Sequence, residues 1–213
     1  MAGGVVLALV LSQLLLPRLA ASMVSSRVGR YGKVESVSVH AWPALKMAWG
    51  SVDSVRVRAK SLTLSSAQAA KLLREAHGVA RMDMFARRVR VGALQLSDAT
   101  LSKRGDALTA QASASDADVK AALPPGLDMQ LLRSEHGEVE VLASGGLFGV
   151  GASVKAIAQA TDGRLVARPL GFLIGGLHLT LFADEHVYVE GVAASVRTRE
   201  PLSYRVSMNA RLR

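Results

Sequence analysis

Beyond Lys33, apolar and polar residues alternate with a period of two in Val-rich runs, the pattern of strands with one face buried. Val37, Val39 and Ala41 alternate with Ser36, Ser38 and His40. Val55, Val57 and Ala59 alternate with Arg56, Arg58 and Lys60. The apolar phase then flips to Leu62 and Leu64. A second flip follows Val89, Val91 and Ala93, after which Leu94 and Leu96 carry the apolar phase. One extra residue swaps the two faces of a strand, so each flip predicts a bulge or bend, and two such strands predict a strongly twisted sheet. Arg104-Gly-Asp106 and Thr161-Asp-Gly163 are hairpin signals between strand-like runs. Glu138 and Glu140, alternating with Val139 and Val141, read as an exposed strand face. Gly176 to Leu212 reads as three or four antiparallel strands, with Asp184-Glu185 in a turn.

Two short helices interrupt the strands. Ser65 or Ser66 is placed to cap a helix through Ala67, Ala70, Leu73 and Ala76 that stops at Gly78. Ser115 caps a second, whose first turn holds Asp116 and Asp118, where carboxylates meet the positive end of the helix dipole. Pro124-Pro125-Gly126 ends it. The predicted architecture is α+β, with long antiparallel strands and a few helices laid along them. No repeat, linker or second domain is legible, so residues 33–213 are expected to form one domain after an amino-terminal segment over 1–32.

That segment has its own pattern. Met1 to Leu16 carries no charged side chain, and Val5 to Leu16 is apolar apart from Ser12 and Gln13 before Pro17-Arg18. This matches the apolar core of a signal peptide and falls short of the roughly 20 residues of a spanning helix. Export is expected, either by a cleaved leader or by an uncleaved anchor continuing through Leu19, Met23 and Val24. Pro17 to Tyr31 continues as a helix with Arg27 and Arg30 beyond its apolar side, a composition suited to a membrane surface.

Composition narrows the chemistry. Half of the 213 residues are hydrophobic and a fifth are charged, so the chain folds around a real core. The absence of cysteine excludes disulfides, thiolate metal sites and thiol nucleophiles. Lys and Arg outnumber Asp and Glu by 26 to 17, a formal charge of +9 that favours an anionic partner. Aromatic residues are scarce and none interleaves with the basic stretches Arg81 to Arg90 or Arg197 to Arg213. A nucleic-acid partner is therefore not expected, because such modules stack bases on aromatics beside their cations. An anionic membrane surface is the remaining class.

No catalytic motif is legible. The nucleophile-elbow spacing is absent, Ser153 lies in a strand-like run, and Gly145 to Gly151 lacks a phosphate-loop or dinucleotide-binding order. His40, His77, His136, His178 and His186 are dispersed without metal-ligand spacing, so neither a metal nor another cofactor is predicted. The surplus is instead apolar. Leu170 to Phe182 is almost uninterrupted, and a curved sheet with this much apolar lining either encloses a long cavity or is covered by its helices.

The run Val37-Ser-Val-His-Ala-Trp-Pro43-Ala-Leu45, then Trp49-Gly50-Ser-Val-Asp-Ser-Val-Arg-Val57 and Leu62-Thr-Leu64, resembles the LmeA-like family of actinobacterial cell-envelope proteins. The resemblance continues through the Ala99 to Ala114 hairpin, the Asp116 to Leu123 helix and the Thr161 to Leu165 turn. Many members carry Leu-Pro near the carboxyl end, whereas Leu179 to Tyr188 here has no proline. The family looks like the tubular lipid-binding superfamily, which implies a long twisted sheet wrapped around a helix and an elongated apolar groove. It implies an exported cell-envelope protein that binds phospholipid or another acyl lipid, in envelope lipid maintenance or transfer. A phospholipase A or esterase using the same groove, and a structural envelope protein without ligand, are the alternative readings. On the lipid-binding reading, Val55, Val57, Leu62, Leu64, Leu94 and Leu96 are expected to line the groove, with Phe172, Leu177, Leu179 and Leu181. Arg56, Arg58 and Lys60, with Arg87, Arg88 and Arg90, are expected at the headgroup or membrane surface.

Overall fold

The computed structural model describes residues 20–41, 52–147, 150–170 and 178–213. Helix α1 (residues 20–29) leads into β1 (Gly32–His40) and β2 (Val52–Leu64). Helix α2 (Ser66–Glu75) precedes β3 (Val79–Val91), β4 (Leu94–Arg104) and β5 (Ala107–Ser115). Helix α3 (Asp116–Ala122) precedes β6 (Leu127–Glu135), β7 (Glu138–Leu147), β8 (Val150–Thr161) and β9 (Arg164–Leu170). The chain closes with β10 (Leu179–Phe182), β11 (Val187–Arg199) and β12 (Leu202–Leu212).

The helices start where their caps dictate. Ser65 Oγ accepts from Gln68 N at 3.2 Å while Gln68 Oε1 accepts from Ser65 N at 2.8 Å, a reciprocal pair that satisfies two otherwise orphaned donors of α2. Ser115 caps α3 by accepting from Asp118 N at 3.1 Å, which satisfies one donor.

The strands form two sheets rather than the one long sheet expected. Seven strands are ordered β1-β2-β3-β4-β5-β12-β11 and five are ordered β10-β9-β8-β7-β6. Neighbours are antiparallel except β2 and β3, which run parallel. A helix connects that pair, and a crossover of this length returns the chain to the same end of the sheet, where a tight hairpin cannot.

The first phase flip is a bulge and the second is not. The β2–β3 ladder jumps from Ala59↔Ala86 to Ser61↔Arg88, skipping Lys60 and Arg87 together. The skip extends to Glu35 in β1 and to Asp98 in β4, which adopts a φ of 49°. A single crease thus crosses four adjacent strands. At Gly92-Ala93, by contrast, the chain makes the β3–β4 turn, with Gly92 at φ +60°, so the apolar phase there changes because the strand ends. The bulge of β3 lies six residues earlier, between Ala86 and Val89.

The inner face of the seven-stranded sheet holds the core. Val55, Val57, Ala59, Leu62, Met82 and Ala86 are buried together, and Val28 of α1 joins them. Ala20, Ala21 and Val24 pack on the same cluster, while Met23 points away and stays 62% exposed. Each large aliphatic side chain buried this way contributes about 1.5–3 kcal/mol.

The two sheets meet along β11, whose outer edge would otherwise present unpaired amides. Val189 N donates to Gly163 O at 2.9 Å and Val192 N to Gly137 O at 3.2 Å, carbonyls in the turns of the β8–β9 and β6–β7 hairpins. Ala194 N donates to Ser134 Oγ at 2.9 Å. The ladder irregularity at Glu190 sets the first two donors three residues apart, about 10 Å along a strand. Two hairpin turns in one sheet are separated by two strand spacings, again about 10 Å. The five-stranded sheet therefore ends on β11 with its strands running steeply across it.

Gly163 is fitted to this junction. It has φ +77°, and a Cβ there would lie 2.3 Å from the Tyr188 ring. Gly163→Ala is expected to lower stability by about 2 kcal/mol or more, from left-handed strain plus displacement of a packed ring. Gly29→Ala, with nothing within 4 Å, is expected to be neutral or stabilising by up to about 1 kcal/mol. Urea denaturation of the two variants against the parent measures both.

Candidate lipid-binding face

Direct partners in an antiparallel ladder share a face, so the register of the five-stranded sheet sorts its side chains. Leu131, Val141, Ala156 and Pro169 lie abreast across four strands; the next row is Val139, Ala158, Ala167 and Leu179. Met129, Ala143 and Val154 form a third row, and Leu165 with Phe182 closes the β10 side. This face is apolar across β7, β8 and β9, and on β6 the second row ends at Ser134. The opposite face carries Gln130 and Lys155, then Arg133, Glu140 and Arg168, interrupted by Leu142 and Ile157. Glu140 lies on this outer face, as its alternation suggested, but is not freely exposed there. Its carboxylate takes Arg133 at 3.4 Å and Lys155 at 3.6 Å and is only 16% exposed.

The apolar face differs from the core in its cover. Val139, Val141, Ala156, Ala158 and Ala167 are half-buried, and no described strand side chain of this sheet is fully buried. It adjoins the inner face of the larger sheet at two flanks. On the β6 side Met129 and Leu131 pack with Ala114, Val119 and Tyr204; on the β10 side Phe182 packs with Leu73, Leu108 and Leu212. Between the flanks the larger sheet presents Ala110, Val206, Met208 and Ala194, also half-buried. Alanine recurs on both sides, and small side chains leave depth above a sheet where leucines would close it.

The chain matches the model of the LmeA-like phospholipid-binding family over residues 6–210. It belongs to that family. No curated protein and no solved structure matches it. For a member of this phospholipid-binding family, the apolar sheet faces that adjoin at these flanks have a chemistry suited to acyl chains.

The residues singled out from the pattern fall into separate places. Val55, Val57 and Leu62 are buried beneath α1, with Leu64 at the margin of the same cluster. Leu94 and Leu96 border the β6 flank near Met129. Leu179 and Leu181 are 64% and 47% exposed on β10. Phe172 and Leu177 lie outside the described residues, as do the leader and the Trp42 to Gly50 part of the resemblance. Leu181 and Phe182, with Ala67, Ala70 and Arg74 of α2, line a cleft of about 340 Å³ that opens beside the β10 flank. Arg56, Arg58, Lys60, Arg87, Arg88 and Arg90 are exposed on the outer face of the seven-stranded sheet. The Ala-rich strand β8 attracted no attention as a sequence, although its period-two alanines at 156, 158 and 160 are the signal for this face.

Ser153 is exposed on the polar face opposite Ser144. His186 stands 3.6 Å from Asp184 and 3.5 Å from Glu185. Among the described residues no group of three His, Asp or Glu is arranged to hold a metal.

Tyr204 and Asp116 anchor the β6 flank, with the phenol donating to Asp116 Oδ1 at 3.5 Å. Burial and the adjacent carboxylate push the phenol above its usual range. At the other flank Lys103 is 1% exposed between Met82 and Leu108, in phase with Leu101, and its ammonium donates to the carbonyls of His77 and Val79. Burial holds this lysine below its ordinary 10.5.

The unfolded chain therefore binds more protons than the folded one between the two values, and stability attributable to Lys103 rises with pH across that window. Below it the cost of the buried charge is fully present. Lys103→Met is expected to remove this alkaline gain. Urea midpoints of parent and variant from neutral pH to about 10.4 measure it, the difference cancelling lysines that titrate alike in both states.

Proposed function

We propose that this chain holds the acyl chains of a phospholipid between the apolar face of the five-stranded sheet and the inner face of the seven-stranded sheet. The observation that carries the proposal is the half-buried band from Val139 and Val141 through Ala156, Ala158 and Ala167, apolar across the three central strands β7, β8 and β9. A face of this composition left to water would sacrifice about 25 cal/mol for each Å² exposed, and an acyl chain recovers it. Leu94, Leu96 and Leu179 then border the groove, while Val55, Val57, Leu62 and Leu64 form its supporting wall. Phe172, Leu177 and Leu181 belong to the strongly apolar stretch of sequence from Leu170 to Phe182. Family membership supports phospholipid as the ligand class.

The apolar stretch from Val5 to Leu16 supports an exported protein on the outer side of the cytoplasmic membrane. There it serves in maintaining or transferring envelope lipid. Binding with release suits either role, because a half-closed groove keeps an exit for its ligand.

Native mass spectrometry with lipid extraction, on the full chain purified from a bacterial host, tests the reading. A phospholipid retained at fixed stoichiometry is expected. A clean apo mass, unchanged after incubation with phospholipid vesicles, would sink it. Ala158→Trp, which fills the centre of the band, is expected to reduce retained lipid at least about tenfold while moving stability by no more than about 1 kcal/mol. Lipid retention undiminished in that variant would place the ligand elsewhere.

A further inference from the structure

The outer face of the seven-stranded sheet is charged in a way that its own fold does not use. Along β2 the outward residues are Arg56, Arg58 and Lys60; beside them on β3 stand Arg81, Arg87, Arg88 and Arg90, against the single acid Asp83. Asp83 is occupied by Arg104 at 2.7 Å, and that hydrogen bond holds its carboxyl below the usual range. Glu35 lies 3.8 Å from Arg87. Arg58, Lys60, Arg81, Arg88 and Arg90 make no ion pair among the described residues.

The crease concentrates these cations. A regular strand sends alternate residues outward, but the shared skip at Lys60 and Arg87 leaves two successive exposed residues, Arg87 and Arg88, on β3. Exposed ion pairs add little to stability, and unpaired like charges on adjacent strands oppose pairing, so the arrangement is not explained by folding. Half-buried Phe85 stands among them, opposite Arg58 and Thr100.

We propose that this face docks the protein on an anionic lipid bilayer. The β2–β3 surface would lie against the headgroups with α1 and the core behind it. Charge complementarity carries the proposal, since each Lys or Arg near an anionic membrane contributes about 1 kcal/mol, roughly a fivefold gain in affinity. The choice of a bilayer over nucleic acid rests on the reading of the chain as a phospholipid-binding protein. Phe85 supplies one apolar contact, and there is no row of aromatics on which bases would stack.

Co-sedimentation of the full chain with phosphatidylcholine vesicles, with and without phosphatidylglycerol, tests the surface. Binding is expected only when phosphatidylglycerol is present, and is expected to be lost at about 1 M salt, where the screening length falls to about 3 Å. R58S/R90S is expected to weaken it by about 20-fold. R164S/R168S, which removes the same charge from exposed positions of the five-stranded sheet, is expected to change it less than about threefold. Equal binding to neutral vesicles, no loss in R58S/R90S, or an equal loss in R164S/R168S would each overturn the assignment. Displacement from the vesicles by duplex DNA at matched phosphate concentration would assign the face to nucleic acid instead. Native mass spectrometry of R58S/R90S separates the two proposals. Lipid retained with vesicle binding lost upholds both, whereas vesicle binding by a parent that retains no lipid upholds docking alone.

Discussion

The backbone edge of β11 is the constraint on which the rest of the molecule turns. A sheet edge of thirteen residues is a template for unwanted pairing unless something consumes its donors. Here the turn carbonyls of Gly163 and Gly137 and the hydroxyl of Ser134 do so. Because those acceptors belong to two hairpins of one sheet, satisfying the edge also fixes where the second sheet stands. The Tyr188 ring leaves no space for a side chain at Gly163, and Gly137 and Gly191 approach each other closely at the same seam.

From that seam the two sheets diverge in how their apolar faces are finished. On the larger sheet α1 seals β1 to β4 with Val28 and its neighbours, and the result is an ordinary dry core. Among the described residues no helix covers the smaller sheet between its flanks in the same way. The centre of its face is built of Ala and Val, with Leu131, Leu165 and Phe182 toward the margins, and its side chains are half-buried. The flanks themselves are firm: α3, Tyr204 and Asp116 close one side, while Phe182 and the Lys103 caps on His77 and Val79 close the other.

Charge follows the same geometry. Cations on β2 and β3 face away from the core, and the crease that bends four strands also crowds them. Polar residues on the smaller sheet are better compensated, as Glu140 with Arg133 and Lys155 illustrates.

Much of this was written locally in the chain. The caps at Ser65 and Ser115, the hairpins at Gly105 and Gly163 and the flip after Lys60 depend on a few neighbouring residues, and periodicity assigns each strand residue to a face. Periodicity does not say what that face will meet. The split into two sheets depends on partners such as Thr109 and Asn209, a hundred residues apart, and on an edge looking for acceptors. The parallel β2–β3 pair required knowing that α2 returns the chain to the same end. Val55 and Ala158 look alike as inward-facing strand residues, yet one is sealed under α1 and the other is not. Lys103 was in phase with Leu101 and so legibly inward, but its two carbonyl partners exist only once the α2–β3 connection is packed over it. The sequence by itself determined the elements and their two-sidedness, which are local properties of dihedral angles and spacing. Which face packs under a helix, and which stays half-buried, was decided by tertiary contacts between distant segments.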